Sequence, residues 1–481
     1  MADPFFWMEP GTFIKIFFEA FPFTPTRGQR SLAEKVALFL ADPDPRSVFV
    51  LKGYAGTGKT SFMSSLVRVL PRLGLKAVLL APTGRAAKVF SAYSGFPAHT
   101  IHRRIYFQRM GKEGNIYLTL QKNLYHDAII MVDEASMIAG DYQESDSAFH
   151  SRNLLDDLLQ YVGEGQHCRL MLIGDTAQLP PVGMDISPAL DLEFLKSRFS
   201  ARIYHHELTE VMRQSLESGI LSNATDLRQM LADERIILPL LHLYGQRDVE
   251  KISGPDLEDG LQSAYSSSTD GETIVVCRSN KRANQFNREI RRRILFHEEE
   301  LGAGDFLMVV RNNYFWLDPE AGPGFIANGD IVSVDHILKI EERYGFRFAD
   351  VTIRLADYAD QPVLDVKVIM DTLMGEGPSL SQSDSKKLFD SVMEDYQDIP
   401  QRVKRLEAVR TDPYYNALQV KFAYALTCHK TQGGQWENVF IDPGFIKADQ
   451  IDREYLRWLY TALTRATKKV FLINFSEKLA E

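Results

Sequence analysis

The sequence predicts an α/β fold with two parallel sheets and an all-β insertion, and three observations support this fold class. From residue 46 to about 175, short apolar runs such as SVFVLKG and KAVLLAP alternate with helix-like stretches, which is typical of βαβ units and a parallel sheet. A second alternating set appears at ETIVVCRS and again near the C-terminus at ENVFID and KKVFLINF. Between its two parts, short strand-like runs with Gly, Asn and Pro turn signals predict a small all-β module.

The length of the chain is consistent with this organisation. At roughly 150 residues per domain, 481 residues suggest about three domains. Inside the first α/β domain, residues 103–126 read as two short strands around Gly111-Lys-Glu-Gly114, which predicts a β-hairpin insertion. We place the first α/β domain at 1–190, the second at 191–301 plus 413–481, and the inserted β module at 302–412.

Composition and charge exclude several classes of protein. Hydrophobic residues make up 45% of the chain and charged residues 25%, as in soluble globular proteins. A net charge of −9 argues against a uniformly basic, histone-like nucleic-acid binder, although it is compatible with a local basic channel. Three widely spaced cysteines give neither a disulfide framework nor a metal-ligand pattern, and they suit a reducing compartment.

The N-terminal segment is apolar, but it does not have the pattern of a signal peptide. Asp3, Glu9 and Glu19 interrupt it, and it lacks a basic start. We expect residues 13–21 to form an amphipathic helix packed on the body. No run of about 18 uncharged apolar residues exists, so we expect no membrane span. These features predict a cytoplasmic protein.

The segment Gly53-Tyr-Ala-Gly-Thr-Gly-Lys-Thr60 fits the pattern G-x-x-x-x-G-K-[ST] of a phosphate-binding loop. It follows the strand-like run SVFVL and opens a helical pattern, which is the context that this motif requires. We expect Lys59 to reach the β- and γ-phosphates of ATP and the Thr60 hydroxyl to ligate Mg²⁺. The residues predicted to contact the nucleotide here are Gly53, Ala55, Gly56, Thr57, Gly58, Lys59, Thr60 and Ser61.

Two further apolar strands end in residues that suit ATP hydrolysis. The first ends in adjacent carboxylates, of which Asp133 is predicted to hold the Mg²⁺ shell and Glu134 to orient and deprotonate the attacking water. The second, Leu170–Asp175, runs into a turn at Gln178, which is placed to touch the γ-phosphate. A plain rigid loop, held by Pro180 and Pro181, is the alternative for that turn.

These motifs, with several others, resemble superfamily 1 DNA helicases of the 5′-to-3′ branch: the RecD-like, Pif-type and Dda-type enzymes. The resemblance extends from Gln29 to about Leu472 and so covers nearly the whole chain. It implies two RecA-like domains with a β-hairpin pin and an SH3-like β insertion. The other segments that carry it are Thr26–Gln29, Ala81–Lys88, Ala98–Arg103, Leu208–Gln214, Thr427–Gly433 and Tyr460–Ala466.

The resemblance implies roles for individual residues. Gln29 would read the adenine edge, and Arg213 and Arg465 would reach the γ-phosphate from the second domain, so that ATP is clamped from both sides. An arginine finger of this kind contributes about 10³–10⁵ to the rate. The residues implied to lie along single-stranded DNA are Pro82, Thr83, Gly84, Arg85, Lys88, Thr100, His102, His429, Lys430 and Thr431.

Some features depart from the family pattern or leave alternatives open. Gly434 and Gln435 stand where relatives often have Ser and an acidic residue, which weakens the expected contacts of that loop. His429 fits a packing role at a strand end as well as a site role. A basic stretch follows the strand IVVC and suits either phosphate contacts or a solvated helix face. It comprises Arg278, Lys281, Arg282, Arg288, Arg291, Arg292 and Arg293.

The predicted hairpin at 103–126 lies where relatives carry the pin that splits the duplex. Tyr106, Phe107 and Tyr117 are its candidate wedge residues, because an aromatic ring stacked on a base contributes about 1–3 kcal/mol. The same rings are equally suited to form the hairpin's own small core. For the inserted β module, function is assigned to the module as a whole, since Asn328-Gly329 is first of all a turn signal.

From these patterns we expect a monomeric, ATP- and Mg²⁺-dependent helicase that moves 5′ to 3′ on single-stranded DNA and unwinds duplex or forked DNA. In the cell it would be cytoplasmic and associated with the nucleoid when bound to DNA. A single-strand translocase, a RecD-type motor subunit that needs a partner, and RNA as a substrate remain alternatives. An oligomeric AAA+ remodeller is a weaker rival, because Arg465 lies in the same chain as the ATP site and Gln178 follows a central strand. A non-catalytic, nucleotide-gated DNA-binding module is also weaker, because Lys59, Asp133 and Glu134 are all present.

Overall fold

The computed structural model has an α/β architecture with two parallel sheets and a closed barrel. Its two sheets are flanked by helices, as the alternation of apolar runs predicts. Within the residues described below, no helix is both long and apolar enough to cross a bilayer. The residues described are 9–44, 46–110, 116–140, 153–199, 202–212, 218–234, 236–243, 245, 247–267, 271–317, 325–355, 362–446 and 450–475.

The helices and strands are numbered in chain order. The α-helices are α1 Pro10–Ala20, α2 Arg27–Leu40, α3 Lys59–Val69, α4 Gly84–Ser94, α5 Ile101–Ile105, α6 Leu154–Glu164, α7 Leu192–Arg198, α8 Gly219–Ala232, α9 Leu257–Ser267, α10 Asn280–Glu289, α11 Gln382–Asp395, α12 Arg402–Arg410, α13 Cys428–Thr431 and α14 Arg453–Leu463. The strands are β1 Val48–Gly53, β2 Lys76–Ala81, β3 Ala98–Thr100, β4 Tyr106–Met110, β5 Ile116–Leu120, β6 Ala128–Val132, β7 Arg169–Gly174, β8 Ile203–Leu208, β9 Val249–Ile252, β10 Thr273–Cys277, β11 Phe306–Val309, β12 Ile331–Arg343, β13 Phe346–Leu355, β14 Val363–Ile369, β15 Leu418–Phe422, β16 Ala425–Thr427, β17 Trp436–Asp442 and β18 Ala466–Ile473.

The first sheet is parallel, with the strand order β3-β2-β6-β7-β1-β8. All five residues of β6 are buried, and so are all six of β7, because helices cover both faces of the sheet centre. The loops after β1, β6 and β7 therefore meet at one edge. This edge carries the phosphate-binding loop, Asp133 and Glu134, and the turn at Gln178.

The predicted boundary between the α/β domains at residue 190 is wrong, because β8 belongs to the first sheet. Ile203 pairs with Val48 of β1, and the pairing continues in parallel to Leu208. β8 is an edge strand whose residues alternate between half-buried and exposed positions before Leu208. Its sequence, IYHHEL, consequently lacks the continuous apolar run that marks the central strands.

The second sheet is also parallel, in the order β16-β10-β17-β18-β9. Strands β11 to β15, inserted between β10 and β16, form a closed barrel. The predicted return to the second domain at residue 413 is therefore too early. β15 pairs with β11 and β14 and completes the barrel, and the second sheet resumes only at Ala425.

Helices outside the sheets pack against α3 in the first domain and against the barrel. The predicted N-terminal helix is confirmed as α1, whose Phe13 and Phe17 are fully buried. The Phe17 ring lies 4.5 Å from that of Phe62 on α3, the helix that follows the phosphate-binding loop. At the barrel's outer end, Leu388 and Val392 of α11 and Val409 of α12 pack with Phe346 and Phe348.

Candidate nucleotide and nucleic-acid sites

The phosphate-binding loop has the backbone that its glycines predict. Gly56 and Gly58 have φ values of 73° and 80°, in the left-handed region where a side chain is disfavoured. A Cβ at Gly58 would also lie 2.4 Å from the side-chain nitrogen of Gln29. Only glycine fits here, and the loop passes directly into α3 at Lys59. Free N–H groups at that helix start suit an anionic ligand.

A cavity of about 460 Å³ opens over this loop, between the edges of the two sheets. Its size is that of a small-molecule site. Of the predicted nucleotide residues, those lining it are Ala55, Gly56, Gly58, Lys59, Thr60, Asp133, Glu134, Gln178 and Arg465. Gly53, Thr57 and Ser61 belong to the same loop and helix without lining the cavity, and Gln29 lies behind Gly58.

Lys59 and Gln29 are both held against the loop. The Lys59 ammonium donates to the carbonyl oxygens of Gly53 and, at 3.0 Å, of Tyr54. Gln29 caps its own helix, since its side-chain oxygen accepts from the Thr26 N–H at 3.0 Å. Its side-chain nitrogen is buried and has no hydrogen-bond partner among the residues that the structure describes. An unsatisfied buried donor beside the loop is suited to an acceptor on a ligand.

Asp133 and Glu134 follow β6 and face the same cavity. Asp133 accepts two hydrogen bonds, from the Tyr93 hydroxyl at 2.6 Å and from the Glu134 N–H at 2.9 Å. Glu134 has a φ of 53°, a conformation that costs about 1–3 kcal/mol and is common at functional sites. Burial and the neighbouring Asp133 raise the pKa of Glu134 to about 7, while Arg465 and Lys59 favour its ionised form.

The side chains near Asp133 fit a magnesium ion shared with a nucleotide. The Thr60 hydroxyl and the Asp133 carboxylate, both hard oxygen ligands, line the one cavity. Across the described residues, no group of three or more His, Cys, Asp and Glu side chains forms a complete metal cage. Mg²⁺ typically uses one or two protein carboxylates together with substrate phosphates. This donor set therefore suits Mg²⁺ bound along with ATP.

α14 of the second sheet closes the cavity from the other side. Arg465 directly follows this helix and donates to the carbonyls of Thr461 and Gly434 at 3.0 and 3.2 Å. The Thr461 hydroxyl accepts from the N–H of Leu179, in the turn after Gln178, at 2.9 Å. The turn at Gln178 and the segment that carries Arg465 thus contact each other directly.

Tyr460 is a functional candidate that the sequence reading missed. Its hydroxyl accepts from the Ala55 N–H of the phosphate-binding loop at 2.9 Å and donates to the Asp175 carboxylate at 2.6 Å. This single side chain from α14 thereby joins two loops of the first sheet. Tyr460 begins the segment Tyr460–Ala466, which the resemblance already placed near the nucleotide. This position was the signal in the sequence that could have identified it.

A second cavity, of about 440 Å³, lies where the two sheets and the barrel meet. The barrel contributes Asn312, Phe325 and Asn328 to its wall. Gly84 lies directly under this wall, because a Cβ there would come within 2.0 Å of Asp330. Most of the residues predicted to contact DNA line this one cavity: Pro82, Thr83, Arg85, Thr100, His102, His429 and Lys430.

Three of the predicted DNA contacts do not line this cavity: Gly84, which lies under its wall, Lys88 and Thr431. Thr431 is fully buried, and its hydroxyl donates to the Cys428 carbonyl at 2.7 Å, so its prediction as a DNA contact is wrong. The short helix α13 turns Thr431 inward while His429 and Lys430 face the cavity. Lys88 is exposed on α4, one turn beyond Gly84, and lies outside the cavity wall.

Lys430 gives the second cavity a cation that titrates near neutral pH. Burial lowers its pKa to about 8, with nearby Lys421 acting in the same direction. The ammonium is therefore charged below pH 8 and loses its proton as the pH rises through 8. Burial also lowers the pKa of His102 to about 4, so this ring is neutral at pH 7.

We expect binding of single-stranded oligonucleotide to weaken between pH 7 and pH 9 as Lys430 loses its charge. Lys430→Gln should lower affinity at pH 7 about tenfold, as one charge-assisted contact contributes about 1.5 kcal/mol, and should flatten the pH dependence. Fluorescence anisotropy at fixed ionic strength measures both effects. Lys196→Gln, at an exposed site on α7, is the control. An unchanged pH profile in the Lys430 variant would contradict the assignment.

The hairpin β4–β5 is present, but one of its three candidate wedge residues is a core residue. Tyr106 is buried, and its hydroxyl donates to Asp157 at 2.7 Å, so its prediction as a wedge is wrong. The Tyr106 ring packs in a hydrophobic cluster with residues of the first sheet. Tyr106 is the first residue of β4 and directly follows α5, which places it there. Phe107 on the opposite face is 36% exposed. The side chain of Tyr117 lies outside the described part of the structure.

Three arginines of the basic stretch 278–293 form ion pairs with carboxylates of the protein. Arg282 pairs with Asp442 at 2.6 Å, and Arg291 forms a buried pair with Asp305 at 2.8 Å. Arg293 pairs with Glu258 and Glu289 on the surface. These pairs weaken the interpretation of the three arginines as phosphate contacts, and the buried pair of Arg291 also differs from the solvated helix face given as the alternative. Arg213, the other predicted finger, lies outside the described residues.

Comparisons with known proteins agree with this arrangement. A family model described as an AAA domain matches residues 25–237, and one described as a UvrD-like helicase C-terminal domain matches residues 422–473. The ATP-dependent RecD2 DNA helicase of Deinococcus radiodurans is 32% identical over 203 residues, which are 42% of this chain and 25% of RecD2. The ATP-dependent DNA helicase dda of Enterobacteria phage T4 is 30% identical over 182 residues, or 37% of either chain.

The matches thus span less than two thirds of either relative's length. Among solved structures, the Pif1 helicase from Bacteroides in complex with ADP-AlF3 and ssDNA matches with a TM-score of 0.48 at 15% identity, over 95% of both chains. The two family models follow one another along the chain, and the nucleotide motifs they include meet at one cavity. The chain is therefore similar, over separate parts of its length, to AAA domains and to the C-terminal domains of UvrD-like helicases.

Proposed function

We propose that this protein is an ATP- and Mg²⁺-dependent DNA helicase that moves 5′ to 3′ on single-stranded DNA and unwinds duplex or forked DNA. The observation that carries the proposal is the position of the two cavities. Both lie at the junction of the two sheets, and the segment Gln432–Gln435 contributes to each. A change of sheet spacing at one cavity therefore changes the other.

The chemistry of the first cavity supports hydrolysis. Glu134 accepts a proton from the attacking water, and Lys59 and Arg465 neutralise charge on the transferring phosphoryl group. Mg²⁺ supplies charge neutralisation when bound with ATP, and Thr60 and Asp133 would hold it. Once the γ-phosphate leaves, the ligand that draws Arg465 toward Lys59 is gone, and the sheets separate. Repeated closing and opening on DNA gives directed steps.

The second cavity supports single-stranded nucleic acid as the track. Lys430 and Arg85 supply positive charge, and the Thr83 side chain caps α4, where free N–H groups suit phosphate. We propose the barrel as the SH3-like clamp over the strand. The hairpin β4–β5 would act as the pin, with the exposed ring of Phe107 as the candidate wedge.

A strand-displacement assay with ATP tests this function on matched duplexes with a 5′ or a 3′ single-stranded tail. Phosphate release is recorded in parallel. We expect unwinding of the 5′-tailed duplex only. Hydrolysis stimulated by single strands without displacement would indicate a translocase or a motor subunit that needs a partner. Displacement of the 3′-tailed duplex would refute the polarity, and an RNA-tailed duplex tests the alternative track.

A further inference from the structure

Helix α4 contributes to both cavities. Thr83, which caps it, and Arg85 in its first turn line the nucleic-acid cavity. Val89, Ala92 and Tyr93 line the nucleotide cavity. The spacing of Arg85, Val89 and Tyr93 is four residues, so these side chains form one stripe along the helix. One rigid element of 11 residues thus spans the distance between the two sites.

At the far end of this stripe, Tyr93 holds the Asp133 carboxylate. The tyrosine hydroxyl donates to one carboxylate oxygen at 2.6 Å, and the Glu134 N–H donates to the other at 2.9 Å. The torsion that turns a carboxylate group is soft, so its hydrogen-bond donors decide its orientation. The Tyr93 ring itself is stacked on the fully buried Phe90, with centroids 5.1 Å apart. Its hydroxyl position is therefore tied to the position of α4.

At the other end of the stripe, the first turn of α4 contacts residues at the start of β17 in the second sheet. The Arg85 guanidinium lies 3.9 Å from the centre of the Trp436 ring and donates to the Gln435 carbonyl at 3.2 Å. A Cβ at Gly433 would come within 2.7 Å of Ala86. A phosphate that drew Arg85 further into the nucleic-acid cavity would compete with these contacts and would shift the helix start. Because the helix is stiff, the shift would reach Tyr93.

We propose that Tyr93 is a positioning residue that couples nucleic-acid binding at the start of α4 to the orientation of the metal-binding carboxylate of Asp133. The inference rests on the proposed function, because it assigns Asp133 to the metal and the second cavity to nucleic acid. The hydroxyl does not touch substrate. It acts through Asp133, as partners of metal ligands commonly do, and losing such a partner typically lowers metal affinity about 10–100-fold.

Tyr93→Phe tests the coupling, because it removes the hydroxyl and keeps the ring on Phe90. Mn²⁺, which accepts the same oxygen ligands as Mg²⁺ and is paramagnetic, is titrated into the full chain with ADP, with and without oligo(dT). For the unmodified protein we expect the oligonucleotide to change Mn²⁺ affinity severalfold. For Tyr93→Phe we expect affinity about tenfold weaker and insensitive to oligonucleotide.

Tyr204→Phe is the matched control, since its hydroxyl also donates to a buried aspartate, Asp42, at 2.7 Å, in the same domain but away from both cavities. An oligonucleotide response in Tyr93→Phe equal to that of Tyr204→Phe would overturn the inference, as would an unmodified protein with no response. ATP hydrolysis is measured separately. A protein that binds Mn²⁺ but never hydrolyses ATP would refute the proposed function, while the titration would still decide the role of Tyr93.

Discussion

Lys59→Ala is expected to abolish ATP hydrolysis while leaving the fold intact. The Lys59 ammonium lies at the inner face of the phosphate-binding loop, bonded to the carbonyls of Gly53 and Tyr54. It is the one lysine on the wall of the nucleotide cavity among the described residues. Removing a charged donor that stabilises the transferring phosphoryl group costs at least about 10²–10³ in rate. Phosphate release with saturating oligonucleotide measures the loss.

Lys52→Ala is the matched control for this variant. Lys52 lies on β1, next to the loop, but does not line the nucleotide cavity. Its substitution should leave hydrolysis within about twofold, and thermal melting should show both variants folded. Hydrolysis that single strands still stimulate in Lys59→Ala would contradict the assignment of this loop to ATP.

Glu134→Gln is expected to bind ATP and oligonucleotide at least as tightly as the unmodified protein, yet to turn over about 10²–10⁴ times more slowly. Glutamine has nearly the same shape but cannot take a proton from water. The negative charge of Glu134, beside Asp133, repels an anionic ligand. The substitution removes this repulsion. Binding of a fluorescent ATP analogue and single-turnover phosphate release separate the two effects.

Glu34→Gln, at an exposed site on α2, controls for the charge change. Near-normal turnover in Glu134→Gln would remove Glu134 as the general base. A variant that neither binds nor hydrolyses ATP would indicate instead that the left-handed backbone at this position, with its φ of 53°, depends on the carboxylate. Circular dichroism and melting would distinguish that outcome from a catalytic defect.

The predicted loops after β1, β6 and β7, which line the nucleotide cavity, share a physical property. Each depends on a strand followed at once by a loop, as at Gly53–Lys59 or Val132–Glu134. Parallel strands bring such loops to one edge of the sheet, so local patterns are sufficient to predict that they meet. The glycines of the phosphate-binding loop are equally local, since the left-handed backbone at Gly58 is visible in the motif itself.

The errors arise where long-range packing decided a residue's role. Tyr106 begins the predicted hairpin and Thr431 follows His429 and Lys430 of the second cavity, yet the side chains of Tyr106 and Thr431 point into the core. β8 was placed with the wrong domain because an edge strand needs no apolar run, and its pairing with β1 is fixed only in three dimensions. A carboxylate distant in sequence, Asp442, pairs with Arg282 of the basic stretch, and this partner is not visible in the local pattern.

The sequence by itself therefore determined the α/β class, the phosphate-binding loop and the two carboxylates after β6, because these depend on backbone geometry within a few residues. Only the tertiary structure decided which side chains face the two cavities. It alone showed that Tyr460 bridges Ala55 and Asp175, and that α4 joins Arg85 to Asp133 through Tyr93. Such contacts connect residues far apart in the chain, and their partners are set by how the sheets pack together.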